Sequence, residues 1–165
     1  MSVKREGEVE LPFDPALKAN DARVHFIGRI RSAWTSREHC PKNMAAARND
    51  AVAARVELDE PFRDGLQGLG KVSHVAILTW LDQAPRNLII QKPRHAEVPR
   101  GTFALRSPAR PNPIGLHVVR LLSLDVTGGI LHLEAIDVLD GTPVVDIKPY
   151  YASTDSVPEA TTGDK

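Results

Sequence analysis

The chain has 165 residues, 42% of them hydrophobic and 25% charged, and its 21 basic side chains balance 21 acidic ones. That length suits one domain and buries a core without disulfide or metal staples, while the zero net charge argues against a general nucleic-acid coat protein. No apolar run approaches the roughly 20 residues of a membrane helix; the charged start MSVKREGEVE is not a secretory signal; the single Cys40 offers neither an internal disulfide nor a zinc cluster. A reducing cytoplasm is the expected location, with no membrane and no metal.

Thirteen prolines predict many turns and few long helices, and 5% aromatic residues leave little for base-stacking platforms. Residues 1–20, with Pro12 and Pro15, read as an N-terminal arm. Residues 23–31 put Val24, Phe26 and Ile30 on one face, as a strand does. A short helix is expected at 43–50. Val52, Ala54, Val56 and Leu58 alternate in a second strand. Pro61 to Leu69 reads as one or two helical turns ended by Gly70. Residues 72–81 are apolar on both faces and predict a central strand; 87–91 are short and β-like. Five prolines between 92 and 113 make that stretch mostly loop, with a short strand near Thr102–Leu105. Residues 116–126 and 130–138 alternate around Thr127-Gly128-Gly129, the clearest hairpin of the chain. A last strand, Val144–Lys148, follows the Asp140-Gly141-Thr142-Pro143 turn. The expected organisation is an arm at 1–20, a domain at 21–151 and a polar tail at 152–165. The expected fold is mostly β: a small, closed or partly open antiparallel barrel with short helices.

The neutral total hides a segregation. Arg86 to Arg120 holds seven bases and one acid, a net of +6, and Leu121 to Lys165 holds two bases and eight acids, a net of −6. The basic block is a candidate anion site; mutual salt bridging of the two halves is the plain alternative. Within the block, GTFALRSPARPNPIG (101–115) sets Arg106, Arg110 and Asn112 among prolines that hold a loop ready for a ligand. Arginine forks suit carboxylate or phosphate; a stiff structural crossover is the alternative. The Asp140 turn leads into Asp146 and Lys148, which share a face, and Tyr150. Glu134 and Asp137 fall late on the hairpin's second strand. His74, alone in an apolar strand, reads first as a hydrogen-bonded structural residue. The other histidines, His117 among them, show no shared pattern. No phosphate-binding glycine loop occurs.

Two of these segments, GTFALRSPARPNPIGL (101–116) and DGTPVVDIKPY (140–150), resemble the signature segments of the TsaA/TrmO-like family. VSHVAILTWL (72–81) and FIGRIRS (26–32) resemble its central and opening strands, so the likeness runs in order from about 24 to 151. The resemblance implies a small β-barrel that binds S-adenosylmethionine, forms a homodimer and N6-methylates threonylcarbamoyl-adenosine at position 37 of tRNA. It implies cofactor contacts at Pro41, Lys42 and Asn43, at Asp82 and Gln83, at Arg106 and Leu116, and at Glu134, Ala135, Ile136 and Asp137. Asp82 departs from the family, which often has histidine there. Deprotonating the acceptor nitrogen needs a nearby base, for which Asp137, Asp140 and His74 are the candidates. Arg110, Asn112, Lys148 and Tyr150 are candidate substrate contacts. Bacterial members often carry a further small C-terminal domain, whereas this chain ends soon after the barrel. Either a barrel dimer binds tRNA alone, or the acceptor is another one. A non-catalytic S-adenosylmethionine-binding regulator and a small-molecule methyltransferase stand as alternatives.

Overall fold

The computed structural model describes residues 5–18, 21–93 and 96–161. In chain order the strands are β1 (Val9–Glu10), β2 (Gly28–Arg31), β3 (Ala54–Leu58), β4 (His74–Trp80), β5 (Leu88–Gln91), β6 (Arg100–Gly101), β7 (Ile114–Asp125), β8 (Ile130–Leu133) and β9 (Pro143–Pro149). The helices are short: α1 (Pro15–Lys18), α2 (Met44–Asp50) and α3 (Ala152–Asp155). Six strands close into a barrel in the order β2-β3-β8-β7-β4-β9, with every neighbouring pair antiparallel. Closure leaves the barrel no exposed strand edge.

Period-two alternation builds the interior. β3 turns Ala54, Val56 and Leu58 inward, β4 turns Val75, Ile77 and Thr79 inward, and β8 supplies Leu131 and Leu133. Ile30, Val56, Val75, Ile77, Val119, Leu131, Leu133, Ile136 and Val144 are fully buried. Where β2 and β3 meet, glycine is required: a Cβ on Gly28 would lie 2.2 Å from the carbonyl oxygen of Glu57. The β7–β8 turn also uses glycine chemistry. Gly129 takes φ +72°, and the Gly128 N–H donates to Asp125 Oδ1 at 2.9 Å.

β4 and β7 pair from His74↔Arg120 to Trp80↔Ile114, so residues 81–113 leave the barrel and return to the same place. This excursion carries β5 and β6, and the N-terminal arm adds β1 to make a three-stranded sheet, β1-β5-β6. The arm is thus partly a strand.

Several boundaries differ from the sequence expectation. The opening strand begins only at Gly28, and Val24 is 54% exposed; Phe26 packs instead beside Trp80, ring centroids 6.5 Å apart. The second strand starts at Ala54, after a C-cap at Ala51 with φ 52°. The helical turns at 60–71 are two 3₁₀ segments, Glu60–Leu66 and Leu69–Lys71. Thr102–Ala104 is a 3₁₀ turn and the short strand there is Arg100–Gly101, because the buried Thr102 hydroxyl donates to the Leu88 carbonyl at 3.0 Å and accepts from Gln91 at 2.8 Å. The second hairpin strand stops at Leu133, so Glu134 and Asp137 lie beyond it. From there the chain turns inward: Ala135, Ile136 and Val138 are buried, and Trp34 Nε1 donates to the Ile136 carbonyl at 2.9 Å.

Leu131→Ala removes a fully buried side chain from the middle of this core. It is expected to cost about 2–5 kcal/mol in denaturant unfolding; a loss below about 0.5 kcal/mol would show that the interior repacks freely around β8.

Candidate functional site

Where the excursion leaves and re-enters the barrel, a cavity of about 710 Å³ opens. Five separate segments wall it: the loop into α2 with Cys40 to Ala45, Leu81 to Ala84 at the start of the excursion, Arg106 to Pro108 with Arg110, Ile114 to His117 at the start of β7, and Asp137 to Leu139 with Thr142. Each is held locally. Asn43 caps α2, its Oδ1 accepting from the Ala46 N–H at 2.9 Å. Leu81 N–H donates to the Pro113 carbonyl at 2.8 Å, which extends the β4–β7 ladder by one step.

A buried polar chain crosses the barrel wall beneath this cavity. His117 points inward from β7 and is 4% exposed. Its Nδ1 lies 2.6 Å from Asp137 Oδ1, and its Nε2 lies 2.9 Å from Oγ1 of the fully buried Thr79 on β4. Gly115 makes room for them, since a Cβ there would sit 2.3 Å from Thr79 Oγ1 and 2.5 Å from His117 Nε2. Cys40 shares the wall, and its thiol is pushed up to about 11 by burial first and by the negative charge of Asp137 second.

The arginine-proline loop is braced mainly by its own guanidiniums. Arg110 Nε donates to the Ser107 carbonyl at 2.9 Å, and its Nη2 reaches the carbonyls of Thr102, at 3.2 Å, and of Leu105. Arg86 Nε donates to the Pro111 carbonyl at 2.6 Å, its Nη2 donates to Asn112 Oδ1 at 3.3 Å, and its guanidinium stacks 5.3 Å from the Trp80 ring centre. Gln91 ties the same loop down from β5, donating to the Ala109 carbonyl at 2.5 Å. Arg106 makes one contact of this kind, Nη2 to the Leu116 carbonyl at 3.2 Å, and is otherwise exposed.

Of the residues singled out in the sequence, Pro41, Lys42, Asn43, Asp82, Gln83, Arg106, Arg110, Leu116 and Asp137 line this cavity. Others lie apart from it. Ala135 and Ile136 are buried behind the wall, and Glu134 N–H donates to the Arg120 carbonyl at 3.1 Å. Asp140 accepts from the Ser32 N–H at 3.1 Å and sits 3.9 Å from Arg31, beside the Arg31–Glu57–Arg55 ion pairs. His74 starts β4 at its far end, hydrogen-bonded to Ser73 Oγ at 2.9 Å and edge-on to Tyr150. Lys148 pairs with Asp146 at 2.8 Å, and Asn112 is engaged by Arg86. His117 and Thr79 were not singled out, although His117 falls on the inward parity of an alternating strand. Among the described residues, no three His, Cys, Asp or Glu side chains are grouped to hold a metal ion, and no helix is long and apolar enough to cross a membrane.

Comparison with known proteins places this architecture. The family model described as the tRNA-methyltransferase O N-terminal domain matches residues 29–156. A protein of Methanothermobacter thermautotrophicus, named a probable S-adenosyl-L-methionine-binding protein, is 39% identical over 137 residues, covering 83% of this chain and 96% of that protein. One of Archaeoglobus fulgidus with the same name is 42% identical over 141 residues, which is 86% of this chain but 37% of that protein. The crystal structure of TrmO from Pseudomonas aeruginosa superposes with a TM-score of 0.71 at 39% identity, covering 88% of this chain and 63% of that one. The chain therefore spans well under half of the Archaeoglobus relative and under two thirds of the Pseudomonas structure. On its closed six-stranded barrel and the match over 29–156, the chain belongs to the tRNA-methyltransferase O N-terminal domain family.

Proposed function

We propose that the cavity binds S-adenosylmethionine and that the chain transfers a methyl group to tRNA, at N6 of threonylcarbamoyl-adenosine 37. One observation carries the reading: eight residues at which the resemblance implied cofactor contacts, scattered from Pro41 to Asp137, line a single cavity. Relatives named for binding S-adenosylmethionine, and the family's own description, support it.

The wall suits such a ligand. About 710 Å³ falls within the roughly 300–1,000 Å³ range of small-molecule sites. Leu81, Ile114, Leu116 and Val138 offer apolar surface to a purine, Arg37, Lys42 and Arg106 offer cations to a carboxylate, and Asp82 offers an anion to an ammonium. The cofactor supplies an electrophilic methyl group on sulfur. The chain's own task is alignment, exclusion of water and removal of one proton. An N6 nitrogen bearing a carbonyl substituent is a weak nucleophile until it loses that proton. Of the three candidate bases, Asp137 alone lines the cavity, and among the described residues its Oδ2 has no hydrogen-bond donor. Asp137 is therefore assigned the proton. The net positive charge of the excursion beside the cavity suits an RNA backbone. Methylation of tRNA would place the protein in the cytoplasm. A homodimer belongs to the same reading, in which a second copy would cover exposed apolar side chains outside the cavity such as Phe103, 79% exposed, and Leu122, 55% exposed.

Purified protein with S-adenosylmethionine is expected to convert threonylcarbamoyl-adenosine to its methylated form in tRNA from a strain lacking the modification, read by nucleoside mass spectrometry. Asp137→Asn should lower turnover by about 10²–10⁴-fold, and Arg106→Ala should weaken cofactor binding with the fold intact. Cofactor binding without turnover would favour a binding protein, and turnover without RNA a small-molecule enzyme. Sedimentation is expected to give twice the 18.1 kDa chain mass; a monomer at micromolar concentration would remove the dimer. Because burial pushes its thiol up to about 11, Cys40 should react slowly with iodoacetamide at pH 8, and faster as pH rises towards 11. S-adenosylmethionine should slow that reaction; an unaffected rate would move the cofactor away from this wall.

A further inference from the structure

The Thr79–His117–Asp137 chain has one protonation pattern that leaves every polar atom satisfied. Thr79 Oγ1 is fully buried, and among the described residues its only hydrogen-bond partner is His117 Nε2, at 2.9 Å. If Nε2 carried the ring hydrogen, the hydroxyl hydrogen would be buried with no acceptor, at a cost of about 1–3 kcal/mol. With the hydroxyl donating to a bare Nε2, the hydrogen of the neutral ring sits on Nδ1. It then donates to Asp137 Oδ1, at 2.6 Å. That contact occupies one carboxylate oxygen and fixes the plane of the group, while the Asp137 side chain keeps 15% of its surface exposed at the cavity. Gly115 is an independent sign that the arrangement is built: any side chain there would collide with both Oγ1 and Nε2.

We propose that Thr79 and His117 are positioning residues for methyl transfer: the threonine hydroxyl locks the imidazole in its Nδ1–H tautomer, and that N–H holds Asp137 so that Oδ2 meets the acceptor nitrogen. The inference rests on the assignment of Asp137 as the base. The histidine is not itself the proton acceptor, because both of its nitrogens are already engaged. Its part is the reverse of the familiar one in which a carboxylate orients a catalytic histidine.

The substitutions separate the two contacts. In His117→Asn the amide nitrogen falls near the place of Nδ1 and keeps a donor for Asp137. In His117→Gln it falls near the place of Nε2 and reaches Thr79 instead. Thr79→Val keeps the shape and removes the hydroxyl, and Thr79→Ser restores it. For His117→Gln and Thr79→Val, kcat in the tRNA assay is expected to fall at least about tenfold, a larger factor than any rise in the S-adenosylmethionine dissociation constant. Thr79→Ser and His117→Asn should recover most of that loss. The ring nitrogens of histidine-labelled protein supply a readout independent of turnover. Of the six histidines, the one whose signals vanish in His117→Gln should show a protonated Nδ1 and a bare Nε2. A protonated Nε2 on that ring would overturn the lock. Unchanged kcat in both damaging variants would overturn the positioning role. A wild-type chain without methyl transfer would instead defeat the catalytic reading itself, and the positioning role with it, whatever the spectrum shows.

Discussion

The ladder between β4 and β7 is the constraint on which the rest of the molecule depends. Its pairs run from His74↔Arg120 to Trp80↔Ile114, and the Leu81–Pro113 hydrogen bond adds a further step. By holding both ends of the 81–113 excursion side by side, it brings Asp82 and Gln83 against Ile114 to His117, residues some thirty positions apart in the chain. The same ladder sets Thr79 opposite Gly115, and so makes the Thr79–His117 contact possible. A Cβ at Gly115 would collide with both ends of that contact, Thr79 Oγ1 and His117 Nε2.

Charge in the excursion is less available than its count implies. Arg110 spends its donors on three carbonyls of its own loop, and Arg86 is divided between the Pro111 carbonyl, Asn112 and the face of Trp80. These contacts do for the loop what a regular ladder does for a strand: they satisfy carbonyls that prolines leave without N–H partners. Arg106, with one backbone contact and an exposed side chain, stands apart from them. A net charge of +6 over 86–120 is therefore partly internal scaffolding and partly exposed charge at the cavity mouth.

The barrel was legible because alternation reports burial directly. Val56 and Leu58, Val75 and Ile77, and the turn at Gly128-Gly129 all carry patterns that admit few other structures. Strand ends were less legible, since they depend on tertiary partners. Nothing local stops the alternation of 130–138 at Leu133; the buried seat of Ile136 and its bond from Trp34 do. Thr102 turns into a 3₁₀ segment because Leu88 and Gln91 take its hydroxyl. In the site, Arg106 and Arg110 look alike as letters, and only the fold shows one bracing and the other exposed. His117 could have been found. It shares inward parity with Gly115, Val119 and Leu121, and a polar side chain in that row demands buried partners. Their identity, Thr79 and Asp137, came only from strand pairing and from the turn after β8.

Because Trp80 and Ile114 are neighbours, the two ends of the excursion leave and re-enter the barrel side by side. Its length is uncoupled from the barrel's closure, and doubling a loop whose ends are already held together costs only about 0.6 kcal/mol. Residues added to its outer part, away from Asp82, Gln83 and Arg106, need change neither the strand register nor the Thr79–His117–Asp137 chain. The two roots of the excursion are thus committed to the cavity wall, while its outer turn can change length without touching the barrel's closure.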